Sequence, residues 1–124
     1  MSIHLDLFSG IGGFHLAANQ IDKLELVSFC EIDAACCRVL GKHWPKAKIH
    51  HDITELKGDK WLGSIDLLTG GFPCQPFSSA GDKRGREYNR YLWPEMFRII
   101  RQVRPSWIIG ENVFGIVNLG LEQV

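Results

Sequence analysis

Short apolar runs alternate with amphipathic stretches along this chain, beginning with Ile3 to Phe8, turning through glycines, and continuing from Phe14 to Ile21 with helical spacing. That opening predicts strand, turn, helix. Leu24 to Glu31 predicts a second strand and Ala34 to His43 a second helix, stopped at Trp44-Pro45 because a residue before proline is pushed out of the helical region. Lys48 to Ile53 predicts a short third strand, Ile65 to Thr69 a fourth, Leu92 to Arg104 a helix, and Ser106 to Gly110 a fifth strand. In the last helix Leu92, Met96, Ile99, Ile100 and Val103 share one stripe, with the arginines largely opposite. Strands alternating with helices predict an α/β fold, a mostly parallel sheet with helices on both faces and ligands at the carboxyl ends of its strands. Phe114 to Val124 predicts about two or three further helical turns. No strand follows to cover them, so the chain reads as ending inside its fold.

Composition narrows the class without changing this picture. At 124 residues there is room for one domain, and 45% hydrophobic with 23% charged residues is ordinary globular composition. Fourteen basic residues balance fourteen acidic ones, so no global field points to a nucleic-acid partner. Lys83, Arg84, Arg86, Arg90, Arg98, Arg101 and Arg104 concentrate positive charge in the second half, which reads equally as a solvated loop and helix face. No apolar stretch approaches the roughly 18 residues needed to span a bilayer, and the N-terminus lacks a basic targeting region. The expected location is the cytoplasm.

Four cysteines, at 30, 36, 37 and 74, form no C-x-x-C pair and no zinc-like spacing. Cys30, Cys36 and Cys37 read as small buried hydrophobes. Cys74 differs, because Gly70-Gly71-Phe72-Pro73-Cys74-Gln75-Pro76 forbids regular structure, and two prolines are a costly way to build a core position. That thiol is placed to react. His50-His51 cannot readily chelate one ion, since consecutive strand residues point to opposite faces.

Ser9-Gly10-Ile11-Gly12-Gly13 joins a strand to a helix and lets a ligand approach the backbone, although the spacing is not that of dinucleotide binders. Glu31, at the end of the second strand, stands where a carboxylate can accept from both hydroxyls of a ribose. Asp52 ends the third strand, where it can accept from an adenine amino group while Ile32 and Ile53 offer apolar faces to the ring. Either acid could instead be a helix cap or a solvated strand end.

In order, Asp6-Leu7-Phe8-Ser9-Gly10-Ile11-Gly12-Gly13-Phe14, Glu31-Ile32-Asp33, His51-Asp52-Ile53, Gly71-Phe72-Pro73-Cys74-Gln75-Pro76-Phe77-Ser78 and Glu111-Asn112-Val113 resemble the successive motifs of the cytosine C5 DNA methyltransferases. The resemblance covers nearly the whole chain. It implies a Rossmann-like methyltransferase fold of about five strands here, with residues 1–124 as a partial catalytic domain from which the target-recognition region is absent. The implied cofactor is S-adenosyl-L-methionine, with Phe8, Gly10, Gly12, Gly13 and Pro73 around it, Glu31 at the ribose, and Asp52 at the adenine, whose ring Ile32 and Ile53 flank.

The same resemblance makes Cys74 the nucleophile that adds to C6 of cytosine, Glu111 the partner of N3, and Asn112 the residue that positions the cysteine loop. Gln75 would meet the nucleic acid, as would Ser78, Lys83, Arg84, Arg86 and Arg90 on a loop from Ser78 to Arg90 that closes over a flipped base. Where the family reads Asp-x-Arg-Gly-x-Leu, this chain has Tyr88-Asn89-Arg90-Tyr91-Leu92, so the resemblance carries no secure cofactor contact to Leu92. The implied partners are double-stranded DNA and a C-terminal complementing polypeptide, with no membrane. On this reading the chain does not methylate DNA alone. A non-catalytic S-adenosylmethionine-binding remnant, or an RNA cytosine methyltransferase, remains as an alternative.

Overall fold

The computed structural model describes residues 2–72 and 92–112. Pro73, Cys74, Gln75, Ser78, Lys83, Arg84, Arg86, Arg90, Val113 and the helix expected over Phe114 to Val124 lie outside the described residues.

The elements run β1 (Ser2–Leu7), α1 (Gly13–Ile21), β2 (Leu24–Cys30), α2 (Ala34–His43), β3 (Ile49–His50), a 3₁₀ turn (Asp59–Trp61), β4 (Leu67–Gly70), α3 (Trp93–Val103) and β5 (Trp107–Gly110). The strands form one sheet in the order β3-β2-β1-β4-β5, and every pairing is parallel. The chain steps outward from β1 to β3, then crosses back to β4 on the far side of β1. The order therefore reverses between β1 and β4, which is where open α/β sheets leave a crevice.

Alternation along the strands divides two layers. Leu5 and Leu7 of β1 and Leu68 of β4 pack with Met96, Ile99 and Val103 of α3, all fully buried. The other face carries His4, Asp6 and Thr69, also buried, toward His15 of α1. Phe29 of β2 lies there too, with its ring 5.3 Å from Trp44 and 5.9 Å from His15. Helices thus cover both faces, as the alternation predicts.

Two strand boundaries differ from expectation for identifiable reasons, and one short element was not expected. β3 spans only two residues, because the Asp52 carboxylate accepts from the Thr54 amide at 2.9 Å and its hydroxyl at 2.7 Å, turning the chain before Ile53. β4 begins at Leu67, since Asp66 exchanges bonds with Ile3 through its own amide and carboxylate, while Ile65 is buried ahead of the ladder. The 3₁₀ turn carries no hydrophobic period and was not legible.

Cys30 is buried as expected, but Cys36 and Cys37 are half-buried on the first turn of α2. Asp33 caps that helix by accepting from the Cys36 amide at 2.9 Å, so the two thiols occupy the helix start rather than the core. The arginines of α3 are not all solvated either. Arg98 donates at 2.7 Å to the carbonyls of both Ile53 and Leu56 and pairs with Glu95. Among the described residues no helix is long and apolar enough to cross a membrane.

Candidate active-site cleft

The carboxyl ends of β1 to β4 open into a cleft of about 450 Å³. Its floor begins where β1 stops. Phe8 takes a left-handed backbone (φ 51), a conformation disfavoured for a side chain of its size, and so directs the chain over the sheet end. The Ser9 amide donates to the Cys30 carbonyl at 3.1 Å, the Ser9 hydroxyl to the Asp6 carbonyl at 2.9 Å, and the Gly12 amide to the Ser9 carbonyl at 2.9 Å. The turn is tied to both β1 and β2.

Gly12 shows why glycine is needed here. At φ 91, a β-carbon would lie 2.5 Å from the Trp44 ring and 3.1 Å from Leu40, so its absence admits α2 against the start of α1. Gly10 (φ 57) and Gly13 have open space around the missing β-carbon. All three glycines build the turn, and none lines the cleft.

Glu31 closes the turn from the β2 side. One carboxylate oxygen accepts from the Gly10 amide at 2.7 Å and the other from the Asp33 amide at 2.8 Å, and each oxygen keeps a second lone pair for another donor. Asp52 has one oxygen committed to Thr54, whose hydroxyl and amide hold this carboxyl below the usual carboxylate range. Hydrogen bonds from Cys36 likewise lower Asp33. Acids therefore edge the cleft, while Phe8, Ile32, Ile53 and Leu92 supply apolar walls. An aromatic ring with donors at its rim and positive charge nearby fits these walls.

Burial pushes the Cys30 thiol up to about 12, and also raises Cys36 and Cys37, which favours the protonated thiol in all three. Cys37 donates to the Glu31 carbonyl at 3.1 Å, and its sulfur lies 3.5 Å from His51 Nδ1. His50 turns the other way, to Ser28 and the Trp61 ring. Among the described residues no three His, Cys, Asp or Glu side chains are grouped to hold a metal ion.

On the β4 side of the switch point, β4 and β5 end side by side. The Glu111 amide donates to the Gly70 carbonyl at 2.9 Å, and Asn112 Nδ2 donates to the Phe72 carbonyl at 2.9 Å. A β-carbon on Gly71 would lie 2.7 Å from Glu111 Oε2, so glycine at 71 admits that carboxylate. Glu111 and Asn112 thus meet the segment that leads directly to Pro73.

Of the residues expected at a cofactor, Phe8, Glu31, Ile32, Asp52 and Ile53 line this one cleft. Cys30, Asp33, His51, Thr54 and Gly71 also line it and were not anticipated. Asp33 had a readable signal as an acid before a helix; Cys30 and His51 had none. Leu92 lines the cleft as well, despite the altered motif before it, because it precedes α3 on the stripe that faces the sheet.

A family model described as C-5 cytosine-specific DNA methylase matches residues 3–123. The type II methyltransferase M2.BsuMI of Bacillus subtilis is 41% identical over 114 residues, covering 88% of this chain and 28% of the relative. M.Eco47II of Escherichia coli is 36% identical over 116 residues, covering 92% and 28%. The chain spans about a quarter of the length of the curated relatives it matches. Among solved structures, the S. pombe Dnmt2 methyltransferase superposes with a TM-score of 0.78 at 25% identity, over 99% of this chain and 39% of that one. The sheet order, the turn after β1 and the fold likeness are those of a Rossmann-like methyltransferase, and with the family match over nearly its whole length the chain belongs to the C-5 cytosine-specific DNA methylase family.

Proposed function

We propose that this chain is the cofactor-binding and nucleophile-bearing part of a DNA (cytosine-5-)-methyltransferase. The observation that carries the reading is the meeting, at one sheet end, of the acid-edged cleft with Glu111 and Asn112, which abut the strand leading to Pro73 and Cys74. The cleft fits S-adenosylmethionine: Glu31 keeps lone pairs for the ribose hydroxyls, Asp52 keeps an oxygen for the adenine amino group, and Ile32 and Ile53 flank the ring. Bound there, the cofactor supplies an electrophilic methyl group.

Cytosine C5 is too weak a nucleophile to take that methyl until the ring's conjugation is broken. Cys74 does this as a thiolate by adding to C6, while Glu111 offsets the developing charge through N3. Loss of the C5 proton and elimination of Cys74 then release the methylated base. Asn112 anchors the start of the cysteine loop through Phe72, and Gln75, Ser78, Lys83, Arg84, Arg86 and Arg90 face the nucleic acid. Extrusion of the base from the duplex costs about a few kcal/mol, which phosphate contacts on this loop offset.

The partner is a polypeptide that supplies the remainder of the catalytic domain. Trp107, Ile108 and Ile109 expose apolar side chains on both faces of β5, which is how an interior strand of a parallel sheet is built, not a natural edge. The test mixes this chain with the part of M2.BsuMI that follows its matched segment and follows labelled methyl transfer to duplex DNA. Transfer and a covalent adduct with 5-fluorocytosine DNA are expected in the mixture only, and Cys74→Ser should abolish both. Transfer by the 124-residue chain alone refutes the need for a partner, and activity surviving Cys74→Ser refutes the nucleophile.

A further inference from the structure

Beneath the cofactor turn four buried polar side chains form one continuous run. His15 Nδ1 of α1 lies 2.9 Å from His4 Nδ1 of β1, His4 Nε2 lies 2.8 Å from Thr69 Oγ1 of β4, and Thr69 donates to Asp6 Oδ1 of β1 at 2.5 Å. His4 and Asp6 are wholly inaccessible to solvent, Thr69 and His15 nearly so. None of the four lines the cleft.

The proton order along this run follows from donor counting while Asp6 is ionised and can only accept. Thr69 has one hydroxyl proton, which goes to Asp6, so its oxygen must accept from His4 Nε2–H. A neutral His4 with its proton on Nε2 presents a lone pair at Nδ1. His15 must therefore donate from Nδ1. Protonating His4 would set two N–H groups against each other, and burial with the neighbouring His15 indeed lowers His4 to about 4. Each link is possible only because the one before it holds its proton correctly.

The run ends on an incomplete group. Asp6 Oδ2 is the one buried side-chain oxygen or nitrogen among the described residues with no hydrogen-bond partner. Burial raises Asp6 to about 7, with Thr69 and then Ser9 pulling it down and Glu31 adding to the rise. Two residues further on, Phe8 enters the cleft, and two residues beyond Thr69, Gly71 does the same. The groups facing the run from each side are Thr69 on β4, His15 on α1, Ser9 and Glu31 around the turn, and the Phe29 and Trp44 rings.

We propose that His15, His4 and Thr69 are positioning residues that lock the ends of β1 and β4 together and favour the ionised form of the Asp6 carboxyl against its burial beneath the turn, tuning the cleft for a cationic adenosine cofactor without touching it. The inference rests on the cofactor reading given above. The ordered run joins a helix and two strands at the sheet's switch point, where a shift of either strand end would move a cleft wall. Negative charge at the root of the turn favours a ligand carrying a sulfonium.

The test compares Thr69→Val, which keeps the shape and removes the hydroxyl, with Thr69→Ser, which restores it. Calorimetric titration of the whole chain with S-adenosylmethionine from pH 5.5 to 8.5 reads both affinity and pH midpoint. Thr69→Val should weaken binding about tenfold or more, while Thr69→Ser stays within about threefold of the wild type. The binding midpoint of Thr69→Val should also move to higher pH, because Asp6 loses its donor. A merely structural threonine would lower stability and leave that midpoint in place. Wild-type binding with an unchanged Thr69→Val profile overturns the inference alone; no binding by the wild type overturns the cofactor reading, and the inference with it. If Thr69→Val does not fold, imidazole ¹⁵N spectra of the wild type decide: the His4 resonance should be that of the neutral Nε2–H form and shift on cofactor addition, and an unmoved resonance or the other tautomer refutes the run.

Discussion

Gly12 and Asp6 are the residues where the cleft depends most on single atoms. Gly12→Ala places a β-carbon against the Trp44 ring in a left-handed backbone, and should cost about 2–4 kcal/mol in urea denaturation. A loss under about 1 kcal/mol would mean that Trp44 moves aside freely. Asp6 and His4 oppose each other in pH dependence. His4 sits near 4 against an ordinary 6.5, so the unfolded chain takes up a proton the folded one refuses, and stability falls as pH drops from about 6.5 to 4. Asp6 sits near 7 against an ordinary 3.8, so the folded chain keeps a proton the unfolded one releases, and stability falls as pH rises from about 3.8 to 7, overlapping the His4 window. The two slopes offset. His15 and His50, also lowered by burial, act with His4. Asp6→Asn should therefore show stability rising more steeply with pH between about 4 and 6.5 than the wild type, by up to about 1.4 kcal/mol per pH unit. Equal slopes would show that Asp6 titrates normally.

Among the elements, α3 does more than fill one face of the sheet. Its buried stripe was legible from periodicity, and Met96, Ile99 and Val103 occupy it as expected. The role of Arg98 was not legible, because its partners are backbone carbonyls 42 and 45 residues away, at Leu56 and Ile53. Those bonds hold the irregular segment after β3, and through it the Ile53 wall of the cleft. Arg98→Met keeps the aliphatic stem and removes the fork, and should cost about 2 kcal/mol by urea denaturation while weakening cofactor binding. Arg98→Lys should recover only part of either, since one ammonium cannot serve both carbonyls in a fixed plane. Full recovery by lysine would argue for charge alone. The glycine turn, by contrast, was legible as a turn, yet its contacts were not: Gly12 answers to Trp44, far along the chain in α2's final cap.

For the whole molecule, β5 sets the terms of assembly. Trp107 is 73% exposed and Ile109 49%, on an edge strand that no described residue covers on its outer side. Replacing both with lysine should leave the chain's own stability within about 0.5 kcal/mol, as expected for exposed sites, and abolish complementation by the M2.BsuMI part. Sedimentation of wild type and variant adds a control: if the exposed strand instead pairs with a second copy, the wild type sediments as a dimer and the variant as a monomer.

The linear order of residues determined the strand and helix alternation, the two glycine-bearing turns and the family resemblance, because periodicity, prolines and short motifs are local properties. Element ends slipped where a side chain took over a backbone group, the Asp66 carboxylate accepting from the distant Ile3 amide and the Asp52 carboxylate accepting from the nearby Thr54 amide. Only the tertiary structure decided that Phe8, Glu31, Asp52 and Leu92 share one cleft, that Glu111 needs Gly71, and that His15, His4, Thr69 and Asp6 form one buried run. These depend on parallel register between strands more than 60 residues apart, which sets β1 against β4 as His4 against Leu67 and Asp6 against Thr69. Register is fixed by packing of the whole sheet, and no local pattern encodes it.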